Sequence, residues 1–186
     1  MKVSAAIVGG SAAVGVLTIG VLSRLMMFLF ARLNPEADGM VSDDGFEMGR
    51  FTLSGSVNLA LVGLGFGVLS GLLYLLLEPL LVGPAWFASL SLSLGAGTVG
   101  AANLVHSDGV DFTLLDPLWL TVGLCTLLPV VHVALVDRAA RGIRVRAGVP
   151  APSAPVLLGW VLRAGLAVLF LLAVASLVSD VSALSR

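Results

Sequence analysis

Two short polar segments of this chain bring together residue types able to bind a metal ion: Asp43, Asp44 and Glu47 in the first, His106, Asp108 and Asp111 in the second. Carboxylate oxygens suit calcium, magnesium or manganese, and one imidazole admits zinc or iron. Their spacing does not follow the calcium-loop pattern D-x-[DN]-x-[DN]-G. Arg24, Arg32 and Arg50 approach the same surface, so mutual salt bridging is the more economical arrangement for these acids. Ser107 lies between His106 and Asp108, but neighbours in sequence do not make a catalytic triad, which is defined by geometry. No motif identifies a cofactor. Gly63-Leu64-Gly65-Phe66-Gly67 has the look of a nucleotide loop, yet it lacks both the G-x-G-x-x-G spacing and a preceding strand.

A second set of polar residues interrupts apolar sequence: Arg24, Asn58, Glu78, Asn103, His132 and Arg163. Ionisable groups inside a membrane are costly and are expected to pair, to snorkel or to serve a function. Arg24 is expected to reach outward to the interface. Asn58 and Asn103 are expected to hydrogen-bond each other, and His132 to bond a neighbouring helix rather than to act as a ligand or proton carrier. Glu78 is expected to pair with Arg163.

The elements that must position these residues follow from hydropathy. The chain is 58% hydrophobic and 11% charged over 186 residues, with a mean hydropathy of +1.08. A soluble domain carries about a quarter charged residues, so a water-soluble core is excluded. Each membrane crossing needs about 20 apolar residues to match a hydrocarbon layer roughly 30 Å thick. The sequence divides into five such helices, at about 4–32, 53–77, 84–105, 117–136 and 156–178. The fold class is an all-α, multi-pass integral membrane bundle forming one domain over 1–186. The first apolar run is too long for a signal peptide and no A-x-A-like cleavage site closes it. Asp116-Pro117 is expected to start the fourth helix, aspartate as cap and proline at the first helical position, and Pro129 is expected to kink that helix.

Glycines 63, 67 and 71 repeat every four residues, as do the small residues Ser89, Ser93, Gly97 and Ala101. Such stripes let backbones approach closely, and the second and third helices are expected to face each other through them as an antiparallel hairpin. Loops 33–52 and 106–116 are acidic, whereas 137–155 carries Arg138, Arg141, Arg144 and Arg146. The positive-inside rule places 137–155 in the cytoplasm, the acidic loops outside, the N-terminus inside and the C-terminus outside. The two acidic loops share a Ser-Asp…Gly…Phe-Thr-Leu order, a chance likeness of short acidic turns rather than a duplication.

Net charge is −1 from ten basic and eleven acidic residues, which gives no electrostatic case for nucleic acid. Nine of the basic residues are arginine, a bias suggesting GC-rich bacterial coding and so a bacterial plasma-membrane location. Cys125 stands alone in an apolar run, so no disulfide forms within the chain. The function favoured by sequence is a non-catalytic accessory or scaffold protein, with the lipid bilayer, further copies or a membrane complex as partners. A small oligomeric transporter or channel-like protein, and a membrane enzyme with an external metal site, are the alternatives.

Overall fold

The structure is a computed structural model that describes residues 1–37, 39–41, 52–107, 112 and 115–185. Among the described residues the chain is all-helical. Five helices are long and apolar enough to cross a membrane: Lys2–Leu33, Leu53–Leu80, Ala85–Leu104, Leu118–Ala147 and Val156–Leu184. Helices suit a hydrocarbon solvent because each satisfies its backbone donors and acceptors internally. The first span is α-helical over Lys2–Gly15 and Ser23–Leu33, with a π-helical segment, Val16–Leu22, between them. The second ends in a 3-10 turn, Glu78–Leu80.

Chain breaks fall where local chemistry requires them. Asn34 leaves the helical region immediately before Pro35, as the clash of a proline ring with the preceding residue demands. The second span starts at Thr52, whose hydroxyl accepts a hydrogen bond from the Gly55 amide at 3.2 Å. The fourth span closes on Gly148, which takes the left-handed conformation at φ 63° and caps the Arg144 and Val145 carbonyls.

Two helices outrun their expected lengths. The fourth continues to Ala147 rather than stopping at Val136, so much of the segment read as a basic loop is helix. Its residues are helix-tolerant as far as Gly148, and Asp137 and Arg141 pair four residues apart along it. The fifth continues to Leu184. The fourth begins at Leu118 with Pro117 in the cap position and no side-chain cap, so Asp116 does not play the capping role expected of it. Instead Asn34 bonds both backbone groups of Asp116, donating to its carbonyl at 2.9 Å and accepting from its amide at 2.8 Å.

Packing also departs from the expected hairpin. The glycine stripe of the second span lies against the first span, not the third. A Cβ added at Gly15 would stand 2.0 Å from the Gly63 carbonyl oxygen, and one at Gly67 would stand 2.3 Å from the Ser11 carbonyl oxygen. The third span turns its own stripe to the fourth: a Cβ at Gly97 would meet Val130 at 2.6 Å, and one at Gly100 would meet Pro129 at 2.9 Å. The helix runs on through Pro129, with the proline ring seated on Gly100. Four-residue spacing tells which residues share a face; it carries no information about which helix covers that face.

Ile7, Tyr74, Leu92, Val136 and Ala140 form a buried cluster in which the first four spans meet. The fifth span lies outside it, against the third span and the 78–80 turn, and of its residues Gly159 and Ala173 are buried. Its leucines and valines face outward, as do many on the other spans, a surface suited to lipid.

The seam between the first two spans is open to test. Gly67→Ala should destabilise the detergent-solubilised protein by about 1–3 kcal/mol through overpacking against the first span. Gly65→Ala, where an added Cβ meets nothing within 4 Å, should be neutral or stabilising by up to about 1 kcal/mol from helix propensity. Thermal unfolding of the two variants beside the parent checks both.

Candidate functional site

Polar side chains gather inside the bundle in two groups, both on the fourth span. The first is centred on His132, which is buried. Its Nδ1 lies 2.7 Å from Thr18 Oγ1 and its Nε2 lies 2.8 Å from Ser70 Oγ. Thr18 also donates its hydroxyl hydrogen to the Val14 carbonyl at 2.8 Å. A hydroxyl has one hydrogen to give, so Thr18 accepts from Nδ1–H, and Nε2 of the neutral ring accepts from Ser70. This tautomer is assigned from the network. The histidine thereby joins the π-helical segment of the first span, the second span and the fourth. A helix-to-helix hydrogen bond is the role expected for it, and the structure supplies two.

The second group is ionic. Glu78 and Arg144 form a two-pronged pair, Nε donating to Oε1 and Nη2 to Oε2. Asp137 is fully buried and accepts from Arg141 Nε at 2.8 and 2.9 Å on its two oxygens. Ser89 of the third span donates to Asp137 Oδ2, and the buried Tyr74 phenol lies beside the same carboxylate. Two carboxylates thus meet two guanidiniums, with a hydroxyl filling a remaining acceptor site. The Arg144 fork on Glu78 is bidentate, whereas Arg141 shares one N–H between the two oxygens of Asp137; both are charge-assisted hydrogen bonds.

The expected pairing of Glu78 with Arg163 is therefore corrected. Arg144, carried inward by the helical extension of the fourth span, occupies both oxygens of Glu78. Arg163 donates from Nε to the Leu80 carbonyl at 2.8 Å instead, and its guanidinium lies 5.7 Å from the Trp160 ring centre.

At the opposite end of the bundle the expectations fare unevenly. Arg24 does not reach outward: it is buried, with its guanidinium against Gly55, whose missing side chain leaves the room. Arg32 stacks over Phe28 at 4.9 Å. Asn58 and Asn103 do not bond each other; both are exposed, and Asn103 donates to the Val99 carbonyl of its own helix at 2.7 Å. Thr121 is fully buried and its hydroxyl has no hydrogen-bond partner among the described residues. His106 is exposed. Asp43, Asp44, Glu47, Asp108 and Asp111 lie outside the described residues, as do Arg50 and most of the two similar acidic segments. Among the described residues no group of three metal-ligating side chains occurs. The stripe residues Gly63, Gly67, Gly71, Ser93, Gly97 and Ala101 are buried at the helix seams.

Sequence reasoning passed over Thr18, Ser70, Tyr74, Ser89, Asp137, Arg141 and Arg144 as site residues. A signal for most of them was present. Ser70, Tyr74 and Glu78 recur every four residues, and Asp137, Arg141 and Arg144 follow at four and then three, each set defining one helical face.

Among the described residues these features define an all-helical membrane protein with five helices long and apolar enough to span, and two paired polar clusters on the fourth of them. No family model matches the chain, and comparison with curated proteins and with solved structures finds no match.

A double-mutant cycle tests the corrected pairing. Glu78→Gln and Arg144→Gln should each destabilise by about 3–5 kcal/mol, because each strands a buried charge, and together by much less than the sum. Glu78→Gln combined with Arg163→Gln should be additive within about 0.5 kcal/mol. Unfolding in detergent measures both cycles.

Proposed function

We propose that this chain is a non-catalytic accessory or scaffold protein of the bacterial plasma membrane, acting through helix and loop contacts with membrane partners or further copies of itself. The observation that carries the reading is that the polar groups of the two clusters on the fourth span are spent on one another. His132 has both nitrogens engaged, Glu78 both oxygens, and Asp137 both oxygens. Catalysis and transport both need groups able to exchange partners with a substrate. Backbone contact between the first two spans at Gly15, Gly63 and Gly67 closes the interior further. The fifth span, attached along one side, keeps its outer surface for contacts.

One observation favours a second reading, a small oligomeric transporter. A π-helical segment often marks a functional site, and here it holds Thr18 against His132. Flux in proteoliposomes separates the two readings. The scaffold reading expects proton and cation leak no greater than that of protein-free vesicles, unchanged by His132→Ala. Leak above that level that His132→Ala abolishes would install the transporter reading in its place.

Orientation belongs to the proposal as well. The arginines at 138, 141, 144 and 146 favour a cytoplasmic position for that end and, with five spans, an external C-terminus. In a Cys125→Ser background, cysteine at the exposed position Glu36 should react with an impermeant thiol reagent in intact cells, whereas cysteine at Arg146 should react after lysis alone. The reverse pattern would invert the topology.

A further inference from the structure

The end of the bundle that holds the basic segment has more cations than its acids can neutralise. Glu78 and Asp137 are taken by Arg144 and Arg141. Lys2, Arg138 and Arg146 are exposed there, with no acidic partner among the described residues. That they share one end follows from contacts: Gly10 of the first span lies against Ile143 of the fourth, and the 78–80 turn touches both Arg144 and Arg163.

Arg163 is the member of this group with a defined setting. Its side chain runs back along the helix over Gly159, where an added Cβ would come within 3.4 Å of Nη1, so the guanidinium is carried toward the helix start. Nε is fixed by the Leu80 carbonyl, which leaves the Nη hydrogens for another acceptor. Trp160 lies beneath it and is 66% exposed, and Trp86 at the start of the third span is 68% exposed. Exposed tryptophans settle at headgroup level, with the ring in the apolar layer and the N–H in the polar one. A cation locked to a backbone carbonyl beside an exposed tryptophan, at the end of the bundle, complements a phosphodiester at the membrane surface.

We infer that this end binds the headgroup of an anionic phospholipid at the junction of the fifth span with the 78–80 turn. Arg163 meets the phosphate, Trp160 packs on the glycerol region, and Arg138, Arg146 and Lys2 supply a favourable field. The binding is electrostatic and weakens as salt rises.

Trp160 is its own reporter. With Trp86→Phe and Trp119→Phe in the background, the protein is reconstituted in nanodiscs containing phosphatidylglycerol or phosphatidylcholine brominated near the glycerol end of the acyl chains. Trp160 should be quenched preferentially by the brominated phosphatidylglycerol. Arg163→Gln should lower that preference by about five-fold, and Arg138→Gln with Arg146→Gln should lower it by a comparable factor. The double variant touches no buried group, so it keeps the test valid if Arg163→Gln disturbs the fifth span. Equal quenching by the two lipids in the parent protein would overturn the inference. So would a preference that survives both sets of substitutions.

Discussion

Hydrocarbon offers no replacement for a lost hydrogen bond, and that constraint orders the polar clusters on the fourth span. In water an unsatisfied hydroxyl or carboxylate turns to solvent; in a bilayer it must find protein or leave the layer. The small hydroxyls obey this locally. Ser11, Thr18 and Ser93 each donate to the carbonyl four residues earlier in their own helix, at 2.8 Å in every case. The larger groups cannot be satisfied locally, and they decide how the helices assemble. His132 needs one partner for each ring nitrogen and takes them from two different spans; Asp137 takes a guanidinium from its own helix and a hydroxyl from the third.

Those long-range bonds are possible because the helices come unusually close. Glycine removes the side chain that would hold two backbones apart, and where the first two spans cross nothing intervenes. The π-helical segment contributes to the same seam. Its hydrogen bonds reach five residues along the chain, so residues five apart are stacked nearly over one another. Gly15 and Gly20 therefore both face the second span, Gly15 against Gly63 and Gly67 and Gly20 against Ala60. An ordinary α-helix would turn one of them away. Thr18, inside the same segment, is held at His132.

How much of this could be read from sequence depends on the kind of information each feature carries. Five apolar runs of sufficient length determine five helices, because a hydrocarbon layer allows the chain little else. The small-residue stripes were visible as faces, but a face does not name its partner, and the second-to-third hairpin was the wrong choice for that reason. Charge misled at 137–155: four arginines suggested a loop, whereas spacing at 137, 141 and 144 marks a helix with one ionic face. The error spread to Glu78, since a fourth span ending at Val136 leaves Arg144 on a flexible segment and makes Arg163 the nearer partner. The choice for Arg24 between snorkelling and burial turned on Gly55 in another helix, where a missing side chain opens the space. No pattern around Arg24 itself contains that fact.

The 78–80 turn shows how one helix end gathers its neighbours. Where an α-helix stops, its last carbonyls lose their amide partners and carry a partial negative charge. The Pro79 carbonyl is satisfied by the Ala154 amide at 3.0 Å, from the segment entering the fifth span, and the Leu80 carbonyl by Arg163 of that span. Glu78 adds a full negative charge at the end of the helix where the dipole disfavours it, and the Arg144 fork offsets that cost. Two arginines from two different spans thus meet at the negative end of a third. The fourth and fifth spans are drawn to one point, the fourth through a buried ion pair and the fifth through hydrogen bonds to carbonyls. Removing a partner from a buried pair costs about 3–5 kcal/mol, against about 1.5–3 kcal/mol for a hydrogen bond from a charged donor, so of the two arginine contacts at this turn the one from the fifth span is the weaker.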